Sequence, residues 1–291
     1  MMNVPSAMVK KIKLYFVTFK NDLELQATFD SIPGSGILDY DFEITVVNNA
    51  ENYPIQIDVH PSIKEKTRFV TNGLRIEKTS TGAHTPGHLS RDWNFCLVDG
   101  FKSFDEPDSE IVVLCQNDLA FIPNGIHKLV ESHDKYNFVS CGAGDTLHSY
   151  TIDAIKNLGL WDERFCSRIL QEADYFTRNI AFNSEFCSLN DDHHRRVYNP
   201  LGYDDKIIDL SIRPKNRRFE RNHLEEREDV QKKINGDLYN AKWSNISSAS
   251  WSDKHIQKIK TLKITEQFKQ NVFYPYFELQ HLNKNVYQYY T

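Results

Sequence analysis

A short polar segment directly after an apolar run is the first place in this chain where residue types could do chemistry. Residues Ile111 to Cys115 are apolar without interruption, which is typical of a strand buried on both faces, and Gln116-Asn117-Asp118 follows at once. A carboxylate at the carboxyl end of such a strand lies where open α/β sheets place their ligands. Asp118 could hold a hard divalent cation there, and the cation could hold a diphosphate. The alternative is a solvated turn, because Asn and Asp are common turn formers.

Further carboxylates lie in two later segments with distinctive spacing. Residues 158–165 read LGLWDERF and contain Asp162, and residues 171–178 read QEADYFTR and contain Glu172 and Asp174. Residues four apart on a helix are neighbours, so Asp174 and Arg178 are expected to pair. Glu172 is placed near the start of the predicted helix, where the helix dipole alone would also favour a Glu.

The elements that must position these groups alternate along the chain. Polar residues gather after the ends of apolar strands, and amphipathic helices lie between the strands, which predicts a mostly parallel sheet covered by helices. The predicted strands are Ile12–Phe19, Phe42–Val47, Thr67–Val70, Ile111–Cys115, Asn137–Cys141 and Glu185–Leu189. Helices are predicted from Asp22, from Leu89 and from about Pro123, with a loop over 78–88 before the second of them.

Composition bounds the class of protein. With 291 residues, 40% hydrophobic and 26% charged, the chain is an ordinary globular protein of one large domain or one domain with an appendage. The net charge of −5 gives no support to a nucleic-acid partner. No run approaches the ~20 apolar residues of a membrane span, and the start is not that of a signal peptide. Five cysteines without a C-x-x-C pair indicate buried thiols in a reducing compartment.

The character of the chain changes near residue 212. A basic run, RPKNRR, begins at Arg213, and charged, helix-like segments and an aromatic tail follow. We therefore expect an α/β domain over residues 1–212 and a mostly helical extension over 213–291. The aromatic tail could pack on the domain, bind an acceptor or form a homodimer contact.

In this order and spacing, the segments resemble the large inverting glycosyltransferase family of the GT-A fold. Members typically run V-T-Y-N-R, V-V-D-N, then D-x-D or N-x-D-V, and finish with G-x-F-D-E-x-F and E-D-x-D-x-x-x-R. Here the corresponding segments are YFVTFKND at 15–22, ITVVNN at 44–49, CQND at 115–118, and the two segments at 158–165 and 171–178. The resemblance covers roughly residues 10–200. It implies a Rossmann-like α/β fold, with a mostly parallel central sheet and helices on both faces.

The resemblance also implies roles for individual residues. Asp118 matches the last Asp of the metal-binding motif, with His193 or His194 as a late ligand, and the metal would be Mn²⁺ or Mg²⁺. Glu172 aligns with the catalytic base, Asp174 lies behind it, and Asp162 lies in a loop that faces the acceptor and donor sugar. Nucleotide contacts are expected from Thr18, Asn48, Arg91, Asn94, Gln116 and Asn117.

Two of these positions depart from the family pattern. Gln116 stands where the family has Asp or Asn, and Asn48 stands where an acidic residue often contacts the nucleotide base. Inverting transfer needs a carboxylate that takes a proton from the acceptor hydroxyl, and a cation that neutralises charge growing on the diphosphate. Glu172 and Asp118 could supply these two functions.

The sequence thus predicts a metal-dependent inverting glycosyltransferase that uses a nucleotide-diphosphate sugar and a glycan or similar acceptor. A sugar-nucleotidyltransferase is one alternative, although residues 18–23 lack the glycine-rich phosphate loop that it needs. A degenerate domain that binds glycan or partner without turnover is another, since Gln116 and Asn48 replace acids. The predicted location is cytoplasmic, or the host cytosol if the chain is viral.

Overall fold

The computed structural model describes residues 10–19, 21–50, 53–71, 89–141, 147–165, 170–182, 207–209, 228–243, 258–259 and 261–262. The order of its elements is β1 Lys11–Thr18, α1 Asp22–Ser31, β2 Asp41–Asn48, α2 Pro61–Lys64, β3 Thr67–Thr71, α3 Leu89–Phe101, β4 Ile111–Gln116, β5 Leu119–Phe121, α4 Gly125–Ser132, β6 Phe138–Cys141, β7 Leu147–Tyr150, α5 Ile152–Leu158, α6 Gln171–Phe182, β8 Ile207–Asp209 and α7 Glu228–Trp243. Two 3₁₀ turns lie between α1 and β2.

Six strands form one sheet in the order β3-β2-β1-β4-β7-β6. The pairs β1–β2, β1–β4 and β2–β3 are parallel. Side chains alternate across the sheet, so Leu14 and Phe16 of β1 enter one hydrophobic cluster and Tyr15 enters the other. Helices α1 and α4 cover the first face, and α3, α5, α6 and α7 cover the second. The predicted α/β class, with a mostly parallel sheet between helices, is confirmed.

One side of the sheet is antiparallel, which the sequence pattern did not indicate. The strand β7 is inserted between β4 and β6 and runs antiparallel to both. At the carboxyl end of β4, Cys115 pairs with Leu147, and Leu147 pairs in turn with Cys141. The short strands β5 and β8 form a second, antiparallel pair. The segment predicted as the strand Glu185–Leu189 lies outside the described residues.

The C-terminal extension contributes to the core. Tyr239 and Trp243 of α7 are buried in the same cluster as α3, α5 and α6. Helix α7 lies within the region predicted to be helical, while the domain boundary at residue 212 stays a prediction. The aromatic tail, at 273–277 and 287–290, lies outside the described residues, so the homodimer contact also stays a prediction.

The state of the cysteines and the character of the helices were also predicted from the sequence. Of the cysteines whose side chains are described, Cys96 and Cys115 are both buried and neither forms a disulfide, as predicted. Burial raises the pKa of the Cys96 thiol well above its usual value, as expected of an inert buried thiol. Within the described ranges, no helix combines the length and the apolar character that crossing a bilayer requires.

Helix α3 approaches the sheet closely at Gly100. A Cβ atom there would lie 2.6 Å from Cγ2 of Val112 and 3.3 Å from Cε2 of Tyr15. Both neighbours are fully buried and belong to adjacent central strands. The absence of a side chain at Gly100 therefore sets the distance between α3 and the sheet.

This close approach predicts opposite effects for two glycine substitutions in helices. Gly100→Ala should lower the free energy of unfolding by about 1–3 kcal/mol, because overpacking exceeds the gain in helix propensity. Gly236→Ala in α7 should raise it by about 0.5–1 kcal/mol, because an added Cβ meets nothing within 4 Å. Urea unfolding of both variants tests this. Equal effects of the two substitutions would contradict the close approach.

Candidate active site

The carboxyl ends of β2, β1 and β4 bring polar residues to one edge of the sheet. Thr18 lies beside Asn48 in the β1–β2 register, and Val17 lies beside Gln116 in the β1–β4 register. Asn117 Nδ2 donates to Thr18 Oγ1 at 2.7 Å, which ties the polar end of β4 to the end of β1. The structure therefore brings together four of the six predicted nucleotide contacts, and Asp118 follows them in the chain.

Helix α1 fixes the turn that carries Asp118. The Thr28 hydroxyl lies 2.6 Å from the carbonyl oxygen of Leu119 and 3.1 Å from that of Asn117, the two residues flanking Asp118. Ser31 Oγ accepts from the backbone N–H of Phe121 at 2.9 Å. Asp118 itself is half-buried. The position of its backbone is thus set by contacts on both sides.

The end of β2 organises its own loop and the start of α3. Asn48 Nδ2 donates to the carbonyl oxygen of Tyr53 at 2.8 Å, and Asn48 Oδ1 accepts from the N–H of Ala50 at 2.9 Å. Asn49 Nδ2 donates to Asp92 Oδ2 at 2.5 Å, which places the first turn of α3 at this edge. Arg91, in the same turn, is half-buried. Its predicted role at a phosphate stays a prediction.

Asn94 has a structural task that the sequence did not predict. It is fully buried, its Oδ1 accepts from the backbone N–H of Trp161 at 2.7 Å, and its Nδ2 donates to the carbonyl oxygen of Trp161 at 2.9 Å. Nδ2 also lies 2.8 Å from Oε1 of Glu163. These bonds attach segment 158–165 to α3. Direct contact of Asn94 with a nucleotide stays a prediction.

Asp162 is a buried ion-pair acceptor. Its carboxylate accepts from the backbone N–H and the guanidinium of Arg164, and from Lys242 Nζ at 2.7 Å. Burial opposes the charged form, but the hydrogen bonds from Arg164 and the charge of Lys242 outweigh it and hold the pKa of Asp162 well below its usual range. The carboxylate is therefore ionised and tightly held.

Asp174 has a similar environment on α6. Its Oδ2 accepts from Arg178 at 2.7 Å, which confirms the pairing expected from their spacing. Its Oδ1 accepts from Trp243 Nε1 at 2.9 Å and lies 2.6 Å from Lys242 Nζ. Arg178 also donates to the carbonyl oxygens of Leu158 and Leu160, at 2.9 and 2.6 Å. The catalytic roles predicted for Asp162 and Asp174 stay predictions, and this geometry favours a structural role.

Sequence reasoning missed Lys242, the cation between these two carboxylates. Its side chain is 3% exposed. Burial lowers the pKa of the Lys242 amine, while Asp174 and Asp162 act in the opposite direction. A signal was present in the chain, because Lys242 shares one helical face with Asn235 and Tyr239, at i, i+4 and i+7. A lysine on a buried face indicates a buried anion nearby.

Aromatic rings connect α6 to the polar edge. Trp161 stacks on Tyr175 of α6, with ring centroids 4.3 Å apart, and on His148 of β7, at 5.2 Å. His148 follows Leu147, which pairs with Cys115 just before the polar end of β4. Trp161 is fully buried, so it is a core residue.

The first turn of α6 carries two side chains of contrasting environment. Gln171 is 1% exposed, and neither of its amide atoms has a hydrogen-bond partner among the described residues. Glu172, the predicted base, is half-buried, and its Oε2 is shielded from solvent. Leu170, just before the helix, adopts a φ of 70°. A buried amide without a partner is a costly feature that sequence alone did not indicate.

Asp118 is the predicted metal ligand that lies among the described residues. Within the described ranges, no group of three or more His, Cys, Asp and Glu side chains could hold a metal ion. His193 and His194 lie outside those ranges. Asp118 therefore contributes one carboxylate at the edge, beside amide side chains. This donor set fits Mg²⁺ or a similar hard cation, which proteins often bind through one or two carboxylates, with substrate phosphates and water completing the shell.

Comparisons with known proteins give structural similarities only. No family model and no curated protein sequence matches the chain. The solved structures that are similar to it include the mannosyltransferase PcManGT from Pyrobaculum calidifontis in complex with GDP-Man and Mn²⁺, with 11% identity and a TM-score of 0.35 over 62% of this chain and 66% of that one. TarS of S. aureus matches with 9% identity and a TM-score of 0.34 over 58% of this chain and 33% of that one. Glucosyl-3-phosphoglycerate synthase from Mycobacterium tuberculosis in complex with Mn²⁺, UDP and phosphoglyceric acid matches with 12% identity and a TM-score of 0.36 over 59% of this chain and 64% of that one.

The matched part spans less than two thirds of each of these three chains. At identities of 9–12% and TM-scores below 0.5, nothing about the activity of this chain follows from these similarities.

The environment of Gln171 predicts an unusual stabilising substitution. Gln171→Met keeps the length of the side chain and removes a buried amide that lacks partners, so the free energy of unfolding should rise by about 1–3 kcal/mol. Gln26→Met is the matched control. Gln26 donates to Asp30 Oδ1 and accepts from the N–H of Asp58, so its substitution should destabilise the protein. Urea unfolding measures both. Destabilisation by Gln171→Met would mean that the amide has a partner.

Proposed function

We propose that this chain is a metal-dependent inverting glycosyltransferase, which moves a sugar from a nucleotide-diphosphate donor to a hydroxyl group of a glycan or similar acceptor. The observation that carries the proposal is the convergence of polar ends of β2, β1 and β4 at one sheet edge, with Asp118 in the turn that follows. Such an edge is the usual ligand position in an open α/β sheet. Glu172 supplies a second carboxylate, on a different element.

The donor would lie along the edge formed by Thr18, Gln116 and Asn117. Hydroxyl and amide side chains can donate to diphosphate and ribose oxygens without adding negative charge. Arg91, in the first turn of α3, would pair with a phosphate. Asn48 would act mainly through the loop that its amide shapes, because that amide already bonds Ala50 and Tyr53.

Asp118 would hold the divalent cation, Mn²⁺ or Mg²⁺, together with diphosphate oxygens and water. The cation, when bound, neutralises the charge that grows on the leaving diphosphate. Thr28 and the Asn117–Thr18 bond keep the Asp118 turn in place before any ligand arrives. Such pre-organisation avoids an ordering cost on binding.

Glu172 would act as the general base. Its carboxylate takes the proton from the acceptor hydroxyl as that oxygen forms a bond to the anomeric carbon. The bond from the anomeric carbon to the diphosphate oxygen breaks on the opposite face, and the nucleoside diphosphate leaves with the electron pair. Configuration at the anomeric carbon is inverted.

Asp162 and Asp174 would support the base rather than exchange protons. Both carboxylates are 1% exposed and accept hydrogen bonds from cations. A proton acceptor that is ion-paired in this way is a weak base. Of the three carboxylates predicted to be catalytic, Glu172 is thus the better candidate for the base.

Binding without turnover is the second candidate. Asp118 supplies the carboxylate predicted to bind the metal, with Gln116 where the resembling family has Asp or Asn. Such a domain would bind a nucleotide sugar or glycan and release no product. A sugar-nucleotidyltransferase has less support, because residues 18–23, which connect β1 to α1, contain no glycine.

We predict that Asp118→Ala abolishes metal-dependent binding of nucleoside diphosphate and leaves the fold intact. Equilibrium dialysis with labelled UDP or GDP in Mn²⁺ measures the affinity, and circular dichroism checks the fold. Asp134→Ala is the control, because Asp134 is exposed and pairs with Lys10 at the opposite edge of the sheet. Unchanged affinity in Asp118→Ala would remove the assignment.

Glu172→Gln should lower the rate of sugar transfer by about 10²–10⁴-fold, because it keeps the side-chain size and removes the basic group. Nucleotide affinity should be retained. The assay is release of nucleoside diphosphate from a panel of nucleotide sugars with candidate acceptors. Asp153→Asn is the matched control, since it removes an exposed carboxylate from the first turn of α5. Normal turnover in Glu172→Gln would exclude this base.

A further inference from the structure

One buried cation of helix α7 contacts both motif segments. Lys242 Nζ lies 2.7 Å from Asp162 Oδ2 and 2.6 Å from Asp174 Oδ1. The two carboxylates come from different elements, one from segment 158–165 and one from α6. A lysine from beyond residue 212 therefore joins two segments that the sequence identified as a candidate site.

The two carboxylates do not need Lys242 for charge neutralisation, because each already has a cationic partner. Asp162 already accepts from the guanidinium of Arg164, and Asp174 already accepts from that of Arg178. Burying a further cation is costly unless its geometry is good. Lys242 adds a bridge between two ion pairs that would otherwise be separate.

The bridge fixes a distance that matters to the proposed base. Glu172 lies two residues before Asp174, in the first turn of the same helix. The helix backbone is stiff over that span, so the position of Asp174 sets the position of Glu172. Trp161, next to Asp162, stacks on Tyr175 of the same helix. Segment 158–165 and α6 are also joined by the hydroxyl of Tyr175, which donates to the carbonyl oxygen of Gly159 at 3.0 Å, and by the bonds from Arg178 to Leu158 and Leu160. Lys242 is the contact of this set that comes from α7 and acts on both carboxylates.

We propose that Lys242 is a positioning residue of the transfer site: by bridging Asp162 and Asp174, it fixes segment 158–165 against the first turn of α6 and so sets the place of the Glu172 carboxylate. This inference rests on the proposed function. It makes the C-terminal extension part of the site rather than an attachment to it.

The test compares two contacts of α7 with α6. Lys242→Met removes the bridge and keeps the volume of the side chain. Tyr239→Phe is the matched control, because it removes the buried hydrogen bond between Tyr239 and Thr177, 2.6 Å long, and leaves the bridge intact. Lys242→Arg is the conservative variant, since a guanidinium can donate to two carboxylates. Circular dichroism and urea unfolding verify that each variant is folded.

Lys242→Met should lower kcat by about 10–100-fold, because a displacement near 1 Å at a reacting group costs roughly that factor. The Kd for nucleoside diphosphate should stay within about twofold, since the sheet edge is untouched. Lys242→Arg should recover part of kcat, and Tyr239→Phe should keep kcat near the wild-type value. A general structural role predicts similar kcat losses for Lys242→Met and Tyr239→Phe. That outcome, or unchanged kcat in Lys242→Met, would overturn the proposal.

Two further readouts keep the test decisive. If Lys242→Met does not fold, Lys242→Gln, which can donate to one carboxylate, carries the same comparison. Amide hydrogen exchange gives a readout without turnover: Lys242→Met should speed exchange in segment 158–165 and at the start of α6, and not in β1 or β4. Wild-type protein without transfer activity would refute the proposed function. Active wild type with unchanged exchange in Lys242→Met would refute only the bridge.

Discussion

The buried ion cluster of Asp162, Asp174, Arg178 and Lys242 is the constraint on which the arrangement of the candidate site depends. Each of these side chains is at most 3% exposed, and each buried charge costs several kcal/mol unless its partners are well placed. The cluster therefore tolerates little displacement. It forces segment 158–165, α6 and α7 into one arrangement, although α7 lies far from the other two in the chain.

The polar sheet edge depends on a different constraint, the parallel register of the central strands. Pairing of β1 with both β2 and β4 places Thr18, Asn48 and Gln116 side by side. Backbone hydrogen bonds set this placement, independently of the side chains. The stack of Tyr175, Trp161 and His148 connects this edge to the ion cluster. One part of the site would thus bind the donor, and the other would hold the base, with a rigid aromatic contact between them.

Local patterns predicted the parts of the molecule that local physics controls. Apolar runs predicted β1, β2 and β4, and the spacing of Asp174 and Arg178 predicted their ion pair. Insertion of β7 between β4 and β6 was not predictable, because strand order is decided by contacts between distant residues. The Asn94 contact with Trp161 and the Lys242 bridge were not predicted for the same reason, because each joins residues that are distant in the chain. The polar residues at the edge were predictable as a group, whereas the ion pair of Asp162 with Lys242 depends on a residue 80 positions later in the chain.

Titration of the full chain with UDP and with GDP, each in Mn²⁺ and again in excess EDTA, tests the central claim most directly. If the sheet edge is a metal-dependent nucleotide site, at least one of the two nucleotides binds saturably at a single site in Mn²⁺, and EDTA abolishes the binding. Absence of binding for both nucleotides, or an affinity that EDTA leaves unchanged, would contradict the account.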